Sequence, residues 1–289
     1  MRPLLFVLCS AVLGGCAHPA PVNRQTITQP TQITLTMHAP AGADPHDPLP
    51  VFPVLIHLDI YQFDVPFGAI SANESFWKRI DEQRIGAGPA TTEILFKNGL
   101  RSGIALKSDW SFFRNILNQY PDRTRKTTIT KARVEGMDLD LNKPAGDEDL
   151  FFFDAQDRLQ GRSYQGSTNT ITMSFEPAPR QPDRIRMAIC PVVTTQRHRL
   201  KFTDLNQEYD SPFEEISRLY DLNLIADVPT DDFLIVAPSS DAIRTTSVGG
   251  LFLVNNDKAE RLEQVLVIVP TVLRLDGKPI RLTDTSLNR

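Results

Sequence analysis

Val54, Ile56, Leu58 and Ile60 alternate with Leu55, His57, Asp59 and Tyr61, so one face of this segment is wholly apolar and the other is mixed. That period of two belongs to a strand with one buried face. Strand-like runs then dominate beyond Pro121, at 127–134, 150–153, 158–165, 169–175, 184–193, 199–203, 219–226, 233–237, 251–254 and 265–275. With 22 Pro and 15 Gly, the 289-residue chain has frequent turns between these runs, and its second half reads as β.

Helical patterns are confined to the stretch before Pro121. Ser71-Ala72-Asn73-Glu74 has capping-box spacing ahead of Phe76, Trp77 and Ile80, which predicts a helix to about Arg84. Asn98-Gly99, between 93–97 and 101–106, suits the positive φ angles of a tight turn and predicts a hairpin. Ser108 then caps a second helix with Phe112, Phe113, Ile116 and Leu117 on its apolar face, ended by Pro121. Further along, Ser211-Pro212-Phe213-Glu214 reads as a single short helical turn, and Gly249-Gly250 as a bulge or tight bend. The expected fold class is α+β: a strand-helix-strand-strand-helix module at 54–121, followed by a mostly antiparallel β domain at 122–289.

The amino terminus bears on location. Met1-Arg2-Pro3 gives a positive end, and 4–13 is apolar apart from Ser10 but far too short to span a bilayer, so 1–15 reads as a cleaved signal. Leu13-Gly14-Gly15-Cys16 resembles the lipobox of bacterial lipoproteins. That resemblance implies cleavage before Cys16, a diacylglyceryl group on its thiol and acylation of its new amine. Ala17, standing where retained lipoproteins often carry Asp, implies the outer membrane with the folded part in the periplasm. The membrane is then a partner through the acyl chains, at ~0.8 kcal/mol per buried CH₂. Residues 16–53 form a tether with eight prolines, semi-extended at ~3 Å per residue.

Composition excludes several classes. The formal charge is −4, becoming −5 once Arg2 leaves with the signal, and no basic stretch is long enough to grip a phosphate backbone, so nucleic acid is excluded as a partner. Cys9 is lost with the signal and Cys16 is the lipidation site, which leaves Cys190, in an apolar run, as a buried small hydrophobe.

No catalytic, cofactor or metal constellation stands out. His18, His38 and His46 lie in the tether, and no zinc-ligand spacing exists. Asp147-Glu148-Asp149, next to Phe151-Phe152-Phe153, lacks the spacing of a cation-binding loop and reads as a solvated loop. His57 and Asp59 share one face, and Ser239 and Ser240 follow an apolar strand, but the local Ala237-Pro238-Ser239-Ser240-Asp241 has none of the glycines of a nucleophile elbow. Arg197-His198-Arg199 reads as a solvated strand edge. The chain is therefore expected not to be an enzyme. The alternative from a different class is a periplasmic hydrolase or small-ligand binder, with His57 as base beside Asp59 and Ser240.

The last third resembles the end of the β domain of secretins, ring-forming outer-membrane channels of secretion and pilus systems. The residues carrying the resemblance are Gly249-Gly250-Leu251-Phe252, then Glu263 followed by an apolar strand to Pro270, with Asp232 to Val236 and Met187 to Val192 upstream in matching order. The module at 54–121 has the order of the ring-building modules that precede the channel in that family. The Val-Pro-x-Leu-Gly stretch before Gly249 is missing and paired lipid-facing segments are not evident, so the resemblance implies a reduced relative and does not extend to a pore. It further implies an envelope assembly or scaffolding role, with envelope or secretion-system proteins, or copies of the chain itself, as partners.

Overall fold

The computed structural model describes residues 54–274 apart from 86–88, 142, 144, 180, 182, 203–207 and 258–259, with backbone alone described at 89–91, 198–202, 208–212, 256–257 and 274. The expected signal at 1–15, the lipidation site Cys16 and the tether at 16–53 lie outside the described residues.

In chain order the elements are β1 (Val54–Pro66), α1 (Glu74–Trp77), β2 (Ile80–Asp81), α2 (Pro89–Lys97), β3 (Leu100–Ala105), α3 (Trp110–Gln119), β4 (Thr124–Lys131), β5 (Val134–Asp140), β6 (Gly146–Phe153) and β7 (Leu159–Pro177). There follow β8 (Arg184–Phe202), β9 (Glu208–Arg218), β10 (Leu224–Pro229), β11 (Phe233–Pro238), α4 (Val248–Leu253), β12 (Val254–Asp257) and β13 (Glu260–Arg274). The protein is mainly β with some helix. One sheet runs β2-β3-β11-β13-β1-β4 with β12 on β13, and the other runs β10-β8-β7-β5 with β6 on β7 and β9 on β8; all pairings are antiparallel.

Three layers result. Ile56, Leu58 and Ile60 of β1 and Leu266 and Ile268 of β13 face the second sheet, where Ile171, Met173, Ile185 and Met187 complete one core. On its other side the first sheet carries α1 and α3, and Phe63, Phe76, Trp77, Phe113, Phe233 and Val267 fill a second core. Edge-to-face rings knit that core, with Phe113 5.2 Å from Phe76 and 5.0 Å from Phe233. Covered on both faces, β11 is buried at every residue, which is why its sequence is continuously apolar rather than alternating. The mixed face of β1 is explained likewise: Phe63 and Val65 are buried in the core beneath the helices, whereas His57 and Asp59 are only partly covered.

Several expectations are corrected. The boundary at 121/122 does not separate two units, because β1 pairs with β13 over its whole length, from Val54↔Arg274 to Pro66↔Leu262, and β3 pairs with β11. Strands from both sides of the boundary thus share one sheet. The capping box at Ser71 does not form. Asn73 caps α1, its Oδ1 accepting from the N–H groups of Ser75 and Phe76, and the helix ends at Trp77. Residues 93–97 are helical, not a strand, so Asn98-Gly99 closes α2 rather than a hairpin. Gly99 has φ +79°, and that left-handed conformation serves a helix end as readily as a hairpin. Ser108 does not cap α3, which starts at Trp110 after Asp109. The turn expected at 211–214 is part of β9, where Pro212 sits on an edge strand and its missing N–H interrupts no interior ladder. Gly249 and Gly250 lie in α4, and a Cβ on Gly249 would stand 1.8 Å from the Gly99 carbonyl oxygen, so helix and turn pack backbone to backbone. The solvated loop expected at Asp147-Glu148-Asp149 is the start of β6.

Candidate functional site

His57, Asp59 and Ser240 are not brought together. His57 Nδ1 lies 2.8 Å from Thr130 Oγ1 and its Nε2 3.7 Å from Asp59, whose carboxylate also pairs with Lys126 at 2.9 Å. By register Pro238 is level with Gln264 and Asp64, about seven residues and roughly 24 Å along β1 from His57. Ser239, fully buried, donates its hydroxyl to Phe96 O and accepts from Asp241 N–H, so these serines belong to a turn. Burial pushes the Cys190 thiol up to about 11, which leaves it protonated and inert. No cluster of three or more metal-ligating side chains occurs among the described residues.

Glu263, the acidic residue of the secretin-like pattern, is fully buried. Its carboxylate accepts from the N–H groups of Gly68 at 2.7 Å, Ile70 at 3.0 Å and Ser71 at 3.1 Å, and from the Ser71 hydroxyl. It ties the turn after β1 to the start of β13, which is the work of a structural carboxylate.

A cleft of about 640 Å³ opens where β1, α4 and β13 meet the second sheet. Strands β5 and β6 run one after the other along β7, and the break at 141–145 carries Lys143 inward. Its Nζ donates to Val254 O at 2.7 Å and to Leu251 O, carbonyls at the C-terminal end of α4 that have no helical partner of their own. Burial brings the Lys143 ammonium down to about 7, against the opposing pull of Glu148 and Asp64. Burial likewise raises Asp64, offset in part by Gln264 and by Arg123, Arg125 and Lys143. Across the cleft Asn169, 6% exposed, donates Nδ2 to Glu148 at 2.8 Å, and Arg261 stacks 3.9 Å over the Phe67 ring. Sequence reading missed this group because its members come from β1, β6, β7, β13 and a strand break, and no local spacing links them.

A second feature is the ribbon formed by the far ends of β8 and β9. Strand β7 leaves β8 at Ser167↔Thr195, and among the described pairings 196–202 of β8 meets β9 alone. Burial changes at the same point. Val192, Val193 and Thr195 are buried, whereas Gln196, Arg197 and, on β9, Phe213 and Ile216 are exposed. The β8 side carries Arg197, His198, Arg199 and Lys201, the β9 side Glu208, Asp210, Glu214 and Glu215, and Arg197 pairs with Glu215 across the ribbon. Comparison with family models, with curated proteins and with solved structures finds no match for this chain.

Proposed function

We propose that this chain is a non-enzymatic lipoprotein of the bacterial outer membrane, anchored by acyl chains on Cys16, whose periplasmic domain assembles with further copies of itself as an envelope scaffold. The observation that carries the reading is the β8–β9 ribbon, which extends past the sheet with a basic strand on one edge and an acidic strand on the other. When the basic edge of one copy meets the acidic edge of the next, the same contact repeats, and such a head-to-tail interface closes into a ring or continues as a filament. The self-assembly expected from the secretin resemblance is kept, but its seat moves from the segment at 54–121 to the ribbon. Ser240 stands about seven residues along β1 from His57 by register, so the hydrolase alternative that joins these two residues has no common site for them.

The test is the mass of the detergent-extracted, lipidated chain by light scattering, beside the double variant Arg197→Glu, Lys201→Glu. Multimers are expected for the parent, with assembly weakened about tenfold or more by removing the charge complementarity. A monodisperse monomer at about 0.1 mM, or assembly indifferent to the reversal, contradicts the reading. Cys16→Ser is expected to leave the membrane fraction, since the acyl chains supply the attachment.

A further inference from the structure

Helix α3 lies over the first sheet and leaves a groove of about 530 Å³ between itself and strands β1 and β4, with Tyr61, Trp110, Arg114, Leu117, Asn118 and Thr124 in its lining. Trp110, Arg114, Leu117 and Asn118 fall on one stripe of the helix, at intervals of four, three and one, and form the wall; Tyr61 and Thr124, from adjacent strands, form the floor. Trp110 is held in place by rings on two sides, edge-on to the buried Phe233 at 5.3 Å and tilted against Tyr61 at 5.5 Å. It is nevertheless only half-buried, as is Tyr61, and both contribute ring surface to the groove. Arg114 and Asn118 are exposed, and among the described residues nothing bonds to the Arg114 guanidinium or the Asn118 amide. The polar groups of this wall are thus both reachable and uncommitted.

Charge decides the ligand class. Arg114 is the one charged side chain of the lining, and the acids flanking α3 and β1 already have cations of their own, Asp109 with Arg79 at 2.9 Å and Asp59 with Lys126 at 2.9 Å. Ring faces by themselves attract a cation as readily as an apolar ring, but a guanidinium with no carboxylate beside it repels a cation. An uncharged ring would stack and leave Arg114 bonded to water alone. A carboxylate adds paired, charge-assisted hydrogen bonds from the planar guanidinium, and one guanidinium balances one negative charge, which favours a carboxylate over a doubly charged phosphate monoester. The volume is in the range of small-molecule sites. We infer that this groove binds a small carboxylate carried on a ring, with the ring against Trp110 and Tyr61, the carboxylate on Arg114 and Asn118 meeting a polar group of the ligand.

The experiment titrates the full chain at low salt with phenylacetate and with glucuronate, which place the carboxylate on an aromatic and on a sugar ring. Acetate supplies the charge without a ring, 2-phenylethanol and glucose the rings without the charge, and phenethylamine a ring with the opposite charge. Tryptophan emission reports on the site, because the chain has two tryptophans and Trp77 is 2% exposed in the core beneath the helices, which leaves Trp110 to respond. At least one ring carboxylate is expected to bind with Kd below about 10 mM, changing that emission, and the four counterparts about tenfold or more weaker. Arg114→Gln is expected to weaken binding about tenfold, while Arg162→Gln, which removes an exposed cation beside Phe152 on the second sheet, leaves it unchanged. Trp110→Phe keeps a ring and is expected to abolish the emission change while calorimetry still registers binding. Thermal melts confirm that each variant folds, and Arg114, exposed and unpaired, is expected to leave the Tm within the range of a surface change. No binding of either ring carboxylate, equal binding of the amine or of an uncharged ring, binding without a response from Trp110, or an unchanged Kd in folded Arg114→Gln overturns the inference. None of these outcomes bears on self-assembly, which is read from mass.

Discussion

Hairpins β6–β7 and β8–β9 leave the second sheet at the same level, where Ser167 faces Thr195, and from there they diverge. The first folds onto the molecule. Leu150, Phe152 and Tyr164 are buried in the main core, Phe151 N–H donates to Thr246 O at 2.8 Å, and Asn98 clasps Phe153 by accepting from its N–H at 2.8 Å and donating to its carbonyl at 3.0 Å. The second has no such clasp among the described residues; its exposed Phe213 and Ile216, three positions apart, fall on opposite faces, and its charges are segregated by strand. Both are hydrogen-bonded ribbons, so strand pairing alone does not decide whether a hairpin docks. One continuous apolar face and a receptor for its backbone do.

That difference gives a graded set of expectations. Phe152→Ala, in the docked hairpin, is expected to cost about 3–5 kcal/mol in urea unfolding, through lost burial and the cavity left behind. Asn98→Ala strands the Phe153 N–H and carbonyl and is expected to cost about 3 kcal/mol by the same measurement. A loss as small as that of a surface change in either variant would remove the distinction between the hairpins.

Lys143 sharpens the comparison, since it precedes the docked hairpin and grips α4. Its ammonium is brought from 10.5 to about 7 by burial, so between those values the unfolded chain binds the extra proton and stability rises with pH. The cost of burying the charge is felt in full below pH 7 and fades toward 10.5. Tm is therefore expected to rise from pH 7 to pH 9 through this group, with a flatter profile in Lys143→Met; identical slopes would count against it. The smallest effect on stability belongs to the ribbon, where Phe213→Ser is expected to change unfolding by no more than about 0.5 kcal/mol.

What the sequence made legible follows from where its physics is local. The alternation of β1 and the apolar face of α3 are set by residues two or four apart, and Phe113 and Leu117 are buried as their spacing implies. Asn98-Gly99 misled because a positive φ serves both a hairpin and a helix end; the Glu93–Lys97 ion pair, 2.9 Å across one helical turn, was the signal for a helix. Strand β9 was hidden by Pro212, which reads as a helix start unless the strand is known to lie at an edge. The cleft was illegible for a different reason. Asp64, Lys143, Asn169 and Arg261 become neighbours only when the two sheets stack, and no window of sequence contains them together.

The most direct test of the central claim mixes isotopically light and heavy copies of the lipidated chain, joins neighbouring carboxylates and lysines with a zero-length crosslinker, and reads the products by mass spectrometry. Light-to-heavy links from Lys201 of one copy to Glu208, Asp210, Glu214 or Glu215 of another are expected if the ribbons meet edge to edge. Links confined to single copies, or intermolecular links that avoid the ribbon altogether, would contradict the account.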